Sequence, residues 1–239
     1  MECSIVIPTR NHSPLLDRTL ESIRSQAPSF EYELIIVDDG STDDTQHTCG
    51  RYGATYFRLE NDHHRNPCFA RNVGYRAARG RVIISQSDEV IHVTSNSIER
   101  LVQGLREGEF LIATVYDWDG PSNRRMYELA GPQSGMMWLY LGAVWRRDLY
   151  VVGGNDEEFT APGYEDLWFL DCLIHGLRLK SRFLVDVVGH HQNHPHPKFE
   201  DVCGPSKQAY ERKTALVQAG QIPYCSTGGP WLMNSDEGE

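Results

Sequence analysis

The sequence predicts an α/β fold: a mostly parallel central sheet flanked by helices, Rossmann-like in layout. Three observations carry this. Apolar runs of strand length, such as Leu34, Ile35, Ile36 and Val37 or Val82, Ile83 and Ile84, show no alternation, as strands covered on both faces do. Stretches with helical spacing separate them, which implies right-handed crossovers between parallel strands. The Leu34 to Val37 run stops at Asp38 and Asp39, with Gly40 for the turn, so two carboxylates sit at the carboxyl end of a central strand. Open α/β sheets bind ligands there.

Taken in order, residues 4–7 (Ser-Ile-Val-Ile) form the first strand, and Pro8, Thr9, Arg10 and Asn11 a polar loop after it. Ser13 and Pro14 suit the N-cap and first position of a helix with its stripe at Leu16, Leu20 and Ile23. After the Asp38–Asp39 strand, Ser41 or Thr42 caps a helix reaching about Tyr52, with Asp43 and Asp44 in its first turn. Residues 55–59 make a short strand, 60–66 a charged, His-rich loop, 67–78 a helix and 81–85 another buried strand. Ile98, Leu101, Val102 and Leu105 mark a helix, and 110–116 a strand. Residues 117–135 are polar and contain Gly and Pro, so a long loop across the site is expected. The apolar stretch 136–145 suits strand or helix. A helix over 166–176, a final strand at 185–188 and a helix over 205–219 complete the count. Residues 1–225 are expected to form a single domain, and 226–239, Gly-rich and acidic, a frayed tail.

Composition narrows the function classes. The net charge of −10 argues against general polyanion binding, which rests on Lys and Arg meeting phosphates. No apolar run approaches the roughly 20 residues of a membrane-spanning helix. Met1 to Pro8 lacks the basic region of a signal peptide, and the six cysteines show no C-x-x-C spacing. A cytoplasmic protein with reduced thiols is expected. The layout suits nucleotide binding, yet neither G-x-G-x-x-G nor a Walker lysine motif is present.

Ser-Ile-Val-Ile-Pro-Thr-Arg-Asn, Val-Asp-Asp-Gly-Ser-Thr-Asp, Ala-Arg-Asn-Val-Gly (70–74), Gly-Gly-Asn-Asp-Glu-Glu-Phe (153–159) and Gly-Tyr-Glu-Asp (163–166) occur in that order. In this the chain resembles the family 2 glycosyltransferases over roughly residues 3–190. The resemblance implies the GT-A fold and a nucleotide-sugar donor, UDP-linked for preference. It implies a metal-dependent transfer to an acceptor hydroxyl, inverting for preference with retention as the alternative; the acceptor itself, a glycan, a protein or a modified nucleic-acid base, is left open. Pro8, Thr9 and Arg10 would lie near the base, with Asp38 beside them. Asp39 would accept from the uracil N3–H, a charge-assisted bond. Arg71 would reach the nucleotide or its phosphates. Asp166 would be the general base, with Glu165 beside it at the acceptor. Gly153 and Gly154 would let the backbone pass the donor sugar, and Trp118, Trp138, Tyr164 and Trp168 are sugar-stacking or core candidates.

The metal motif departs from the family pattern. Where relatives carry Asp-x-Asp, this chain has Ser87, Asp88 and Glu89. Glu89 would ligate Mn²⁺ or Mg²⁺ in place of the final Asp, or Asp88 would after a one-residue shift, while Ser87 would touch the ribose or bind through water. His190 or His191, after the last strand, would complete the coordination; His194 and His196 read as an exposed loop. Zinc is the rival ion, but no thiolate pair accompanies these histidines. A sugar-phosphate nucleotidyltransferase and a non-catalytic nucleotide-sugar or carbohydrate binder are the alternative functions.

Overall fold

The computed structural model describes residues 1–61, 65–195 and 198–233. Its first half runs β1 (Cys3–Thr9), α1 (Ser13–Arg24), β2 (Tyr32–Asp38), α2 (Thr45–Arg51), β3 (Thr55–Arg58), α3 (Cys68–Ala77), β4 (Val82–Gln86) and β5 (Val90–His92). There follow α4 (Ser97–Gly104), β6 (Glu109–Asp119), β7 (Arg124–Ala130), β8 (Leu141–Trp145), α5 (Arg146–Val152), α6 (Glu165–Asp171), β9 (Lys180–Gln192), α7 (Phe199–Val202) and α8 (Gly204–Gln218). Among the described residues one sheet has the order β3-β2-β1-β4-β8-β6-β9-β5, with β7 on β6. The expected α/β class holds. β1 pairs in parallel with β2 and β4, β2 with β3, and β6 with β9. β8 enters antiparallel between β4 and β6.

This order explains where a ligand can sit. β1 has β2 on one side and β4 on the other, so the connections diverge and leave a crevice at their carboxyl ends. The apolar runs of β1 and β4 are buried, as are Ile35, Ile36 and Val37 of β2, and Leu16, Leu20 and Ile23 of α1 are fully buried in the same core. Burying such side chains stabilises by roughly 1.5–3 kcal/mol each.

Four expectations are corrected. Residues 117–135 are not one loop: β6 runs on to Asp119, turns over Gly120–Asn123 and returns as β7. Its polar residues lie on a hairpin with an exposed face, which loop composition imitates. The stretch 136–145 is a strand only from Leu141. The final strand is longer than 185–188, because β9 pairs with β6 on both sides of a register shift at Ala113/Thr114. Ser41 and Thr42 do not cap α2: its N-cap residue is Asp44, which makes no side-chain cap bond, while Asp43 just before it accepts from the N–H groups of Thr45 and Ser13.

Within the segment expected to be a tail, Ser226 and Trp231 bond to the domain. Ser226 donates to the Val152 carbonyl and Trp231 to that of Tyr150, and Arg76 lies over the Trp231 ring. Residues 234–239, residues 62–64 of the His-rich loop, and His196 lie outside the described residues. No helix among the described residues is long and apolar enough to cross a membrane. All six cysteines are free thiols, five of them buried.

His92, at the end of β5, yields a first prediction. Its Nε2–H faces Gln86 Oε1 at 2.9 Å, while buried Nδ1 has no hydrogen-bond partner. Burial lowers its pKa from 6.5 to about 4. An imidazole harder to protonate when folded stabilises fully above pH 6.5, and that contribution is lost as pH falls through the window down to 4. At about 1.4 kcal/mol per unit, the loss by pH 5 is about 2 kcal/mol. His92→Gln retains the donor and removes the titration, so its urea midpoint should fall less than wild type between pH 7 and 5. An equal fall in both proteins would refute the assignment.

Candidate active site

The carboxyl ends of β1, β2 and β4, the start of α3 and the start of α6 enclose a cleft of about 290 Å³. Ten residues singled out in the sequence line it: Pro8, Thr9, Arg10, Asp39, Arg71, Ser87, Asp88, Glu89, Glu165 and Asp166. They come from five segments far apart in the chain. His12, Arg65, Pro67, Ala70 and Tyr140 complete the lining. Tyr140 arrives because β8 begins opposite Gln86, where its carbonyl accepts from the Ser87 N–H.

Adjacent carboxylates at the end of β2 face opposite ways, as strand geometry requires. Asp38 turns out of the cleft. Its Oδ1 accepts from Ser41 N–H at 2.7 Å, and its Oδ2 from the Tyr56 hydroxyl and Arg58. Asp39 turns in. The Arg65 fork reaches both its oxygens, with Nη2 at 2.6 Å from Oδ1 and Nε at 3.0 Å from each, and Asn61 donates to Oδ2 at 2.9 Å. Arg10 donates to the Asp39 carbonyl. Gly40, at φ +84°, is required: a Cβ there would lie 2.1 Å from the Asn61 carbonyl oxygen.

Across the cleft, α6 brings Asp166 to its mouth and Glu165 into its wall. Asp166 Oδ1 accepts from Arg71 Nη1 at 3.2 Å, and the buried Nε of Arg71 has no partner. Burial and the neighbouring Asp166 push Glu165 up to about 7, against the pull of Arg71. α3 is fixed in turn, since Asn72 donates to the Asn155 carbonyl at 2.7 Å and accepts from its N–H at 2.8 Å.

The turn from β4 to β5 carries Ser87, Asp88 and Glu89. Asp88 Oδ2 accepts from Thr9 Oγ1 at 2.6 Å and lies 3.2 Å from His12 Nδ1. Burial and the adjoining Glu89 push Asp88 up to about 7, and its hydrogen bond pushes His12 up to about 9. Burial opposes ionisation of Glu89, but hydrogen bonds to Asp88 and His191 more than offset it and hold Glu89 well below the carboxylate range. His190 and His191 also face opposite ways on β9. His190 stacks on Trp118 and contacts Arg125, away from the carboxylates. His191 joins Glu89, Nε2 to Oε1 at 3.4 Å, with Asp117 3.1 Å from its Nδ1. His194 is not merely loop: its ligand atom lies within 4.8 Å of those of Glu89 and His191, and His12, Asp88 and Glu89 form a second such trio. Carboxylate and imidazole are donors a divalent cation accepts, so the residues fit one.

Several candidates stand elsewhere. Gly153 and Gly154 do not border the cleft; they pass beneath the C-terminal segment, against Gly229 and Trp231. Trp168 is core, fully buried. His12, Arg65, Asp117 and Tyr140 were missed because only the tertiary pairing brings them in, and of these only Asp117 left a signal, in the alternation of Tyr116 and Trp118 with Asp117 and Asp119.

Comparison with known proteins gives four matches. The family described as glycosyl transferase family 2 matches residues 4–154. The glycosyltransferase GlyG of Streptococcus pneumoniae is 27% identical over 168 residues, 68% of this chain and 55% of that protein, so the chain spans about half of it. Among solved structures, S. aureus TarS 1–349 with UDP superposes with TM-score 0.67 at 19% identity, over 82% of this chain and 61% of that one. The mannosyltransferase PcManGT of Pyrobaculum calidifontis, with GDP-Man and Mn²⁺, superposes with TM-score 0.63 at 18% identity, over 91% and 62%. At these identities the solved structures show the fold, which is GT-A.

Proposed function

The chain belongs to glycosyl transferase family 2, and from that premise we propose that it moves a sugar from a nucleotide-sugar donor, UDP-linked for preference, to an acceptor hydroxyl. The observation that carries this is the single cleft holding Asp39 on one side, Asp166 with Arg71 on the other, and Glu89 between. TarS bound to UDP and PcManGT bound to GDP-Man and Mn²⁺ support a nucleotide in such a crevice.

Pro8, Thr9 and Arg10 border the base, and Asp39 accepts from its ring N–H. A carboxylate offers about four lone-pair sites, and Arg65 and Asn61 already take most of those of Asp39. The base therefore has to displace the Arg65 fork. Asp38 supports the loop by holding the Ser41 N–H rather than touching the nucleotide. Ser87 faces the ribose.

Asp166 takes the acceptor proton as the acceptor oxygen bonds to the anomeric carbon. The bond from that carbon to the diphosphate breaks, its electron pair leaves with the nucleotide, and configuration inverts. Arg71 orients Asp166. Glu165 lies mostly behind the wall and shapes the acceptor side. A divalent ion such as Mn²⁺ or Mg²⁺, when bound, neutralises the departing diphosphate. Glu89 and His191 would hold it, since Asp88 is engaged by Thr9 and His12 and His190 points away.

A nucleotide panel tests this. A ligand confined to the native state stabilises by about 2.7 kcal/mol at a hundred times its Kd. UDP with Mn²⁺ should raise Tm, and Asp39→Ala should remove most of the rise. Strong stabilisation by GDP or CDP with none by UDP would reject the donor. Donor binding without hydrolysis or transfer to any acceptor would favour a non-catalytic binder.

A further inference from the structure

A second cavity, of about 350 Å³, opens between α3, the turn after α5 and the C-terminal segment. Asn72 and Arg76 of α3 line it, together with Asn155, Glu157 and Trp231. It shares no lining residue with the cleft. Its volume lies in the roughly 300–1,000 Å³ range of small-molecule pockets. We propose that this cavity is a saccharide-binding site, separate from the cleft, that holds a vicinal diol of one pyranose ring between Glu157, Arg76 and Trp231.

The chain fixes each of these groups in place. The Ser226 N–H donates to the Val152 carbonyl at 2.9 Å and its hydroxyl to the Gly153 carbonyl at 2.7 Å, while the Trp231 N–H donates to the Tyr150 carbonyl at 2.8 Å. Only glycine admits the segment so closely: a Cβ on Gly153 would lie 2.1 Å from the Gly229 carbonyl oxygen, and one on Gly154 2.3 Å from the Trp231 ring. Tyr150 meets that ring edge-on at 5.4 Å, so Trp231 is a fixed wall. On α3, Asn72 Nδ2 donates to Glu157 Oε1 at 2.9 Å and Arg76 Nη2 to the same oxygen at 3.2 Å. The carboxylate is thus held by one oxygen. Its Oε2 has no hydrogen-bond partner among the described residues, nor have Arg76 Nε and Nη1 or Trp231 Nε1. Asn155 is 2% exposed, and its buried Oδ1 has no partner either.

An unmet carboxylate oxygen beside unmet guanidinium donors matches the chemistry of a diol. One hydroxyl donates to Glu157 Oε2 and its neighbour accepts from Arg76, both bonds being charge-assisted. Trp231 offers an apolar ring to the sugar's C–H face and an N–H to a further oxygen. A buried acceptor such as Asn155 Oδ1 calls for a donor, which another hydroxyl supplies. Other ligand classes fit less well. An anion would meet Asp156, Glu157 and Glu158 on the same lining, and a lipid would find Trp231 as the one large apolar side chain among the described residues there.

Saturation-transfer NMR and calorimetry on the full chain test this. The probes are the methyl glycosides of glucose, galactose and mannose, with sulfate and spermidine as anionic and cationic rivals. At least one glycoside is expected to bind with a millimolar Kd, and saturating UDP should not displace it. Glu157→Gln keeps the side chain's shape but removes the charge, and should weaken glycoside binding about tenfold. Arg76→Met, which removes the guanidinium donors, should weaken it at least as much. Asp39→Ala, a change in the cleft, should leave it unaltered. Failure of every glycoside to bind would overturn the proposal, as would tighter binding of sulfate or spermidine. Displacement by UDP, or loss in Asp39→Ala with retention in Glu157→Gln, would put the saccharide in the cleft and overturn it equally. The transfer reading stands or falls separately, because UDP stabilisation that persists while every glycoside fails removes this site alone.

Discussion

Replacing Asp166 by asparagine is expected to lower sugar transfer by at least about 100-fold, because general-base catalysis contributes roughly 10²–10⁴-fold. The substitution is nearly isosteric and keeps an oxygen for Arg71 Nη1, now 3.2 Å from Asp166 Oδ1. Folding and UDP-induced stabilisation should therefore survive. What is lost is the capacity to take the acceptor proton, which appears as a fall in kcat with the donor Kd unchanged. Glu165→Gln should do less, since Glu165 is largely buried beside Asp166 and holds a proton up to about pH 7. Transfer by Asp166→Asn at the wild-type rate would make Asp166 a partner of Arg71 alone and place the base elsewhere.

The sequence announced the cleft better than it announced the side chains' directions. β1, β2 and β4 were legible because uninterrupted apolar runs have few other uses, and their carboxyl ends had to meet. Asp38 and Asp39 could not be separated while the strand's phase was unknown; once β2 pairs with β3, Asp38 belongs to Tyr56 and Arg58. The same alternation sends His190 to Trp118 and His191 to Glu89. His12 escaped notice because Asp88 is 76 residues away, a distance no local pattern spans. Asp117 was hidden by composition: a hairpin that exposes Arg124, Arg125 and Tyr127 looks as polar as a loop. Gly153 and Gly154 were read correctly as a place of close approach, but what approaches is Trp231 and Gly229 of the same chain.

On the same side of the molecule, Lys213→Met should be strongly destabilising. Lys213 is 3% exposed on α8, with its ammonium 2.8 Å from Asp156 Oδ2 and 3.1 Å from Glu158 Oε2. It donates to Thr227 Oγ1 at 2.7 Å and lies over the Trp168 ring. Methionine fills the space of the stem but leaves Asp156, 1% exposed, with only the Thr227 and Glu158 N–H groups and the Thr227 hydroxyl. Removing one partner of a buried pair costs about 3–5 kcal/mol. Arg212→Ala, which breaks an exposed pair with Glu158, should cost less than about 1 kcal/mol. Asp156→Asn combined with Lys213→Met removes both charges and should recover part of the loss. Urea unfolding of the four proteins decides the matter, and equal costs for Lys213→Met and Arg212→Ala would refute it. The effect should reach the cleft, because Asn155 beside Asp156 is the residue that clamps Asn72, next to Arg71 on α3. A loosened clamp leaves the Arg71–Asp166 pair less ordered, so the surviving folded Lys213→Met protein should also transfer more slowly.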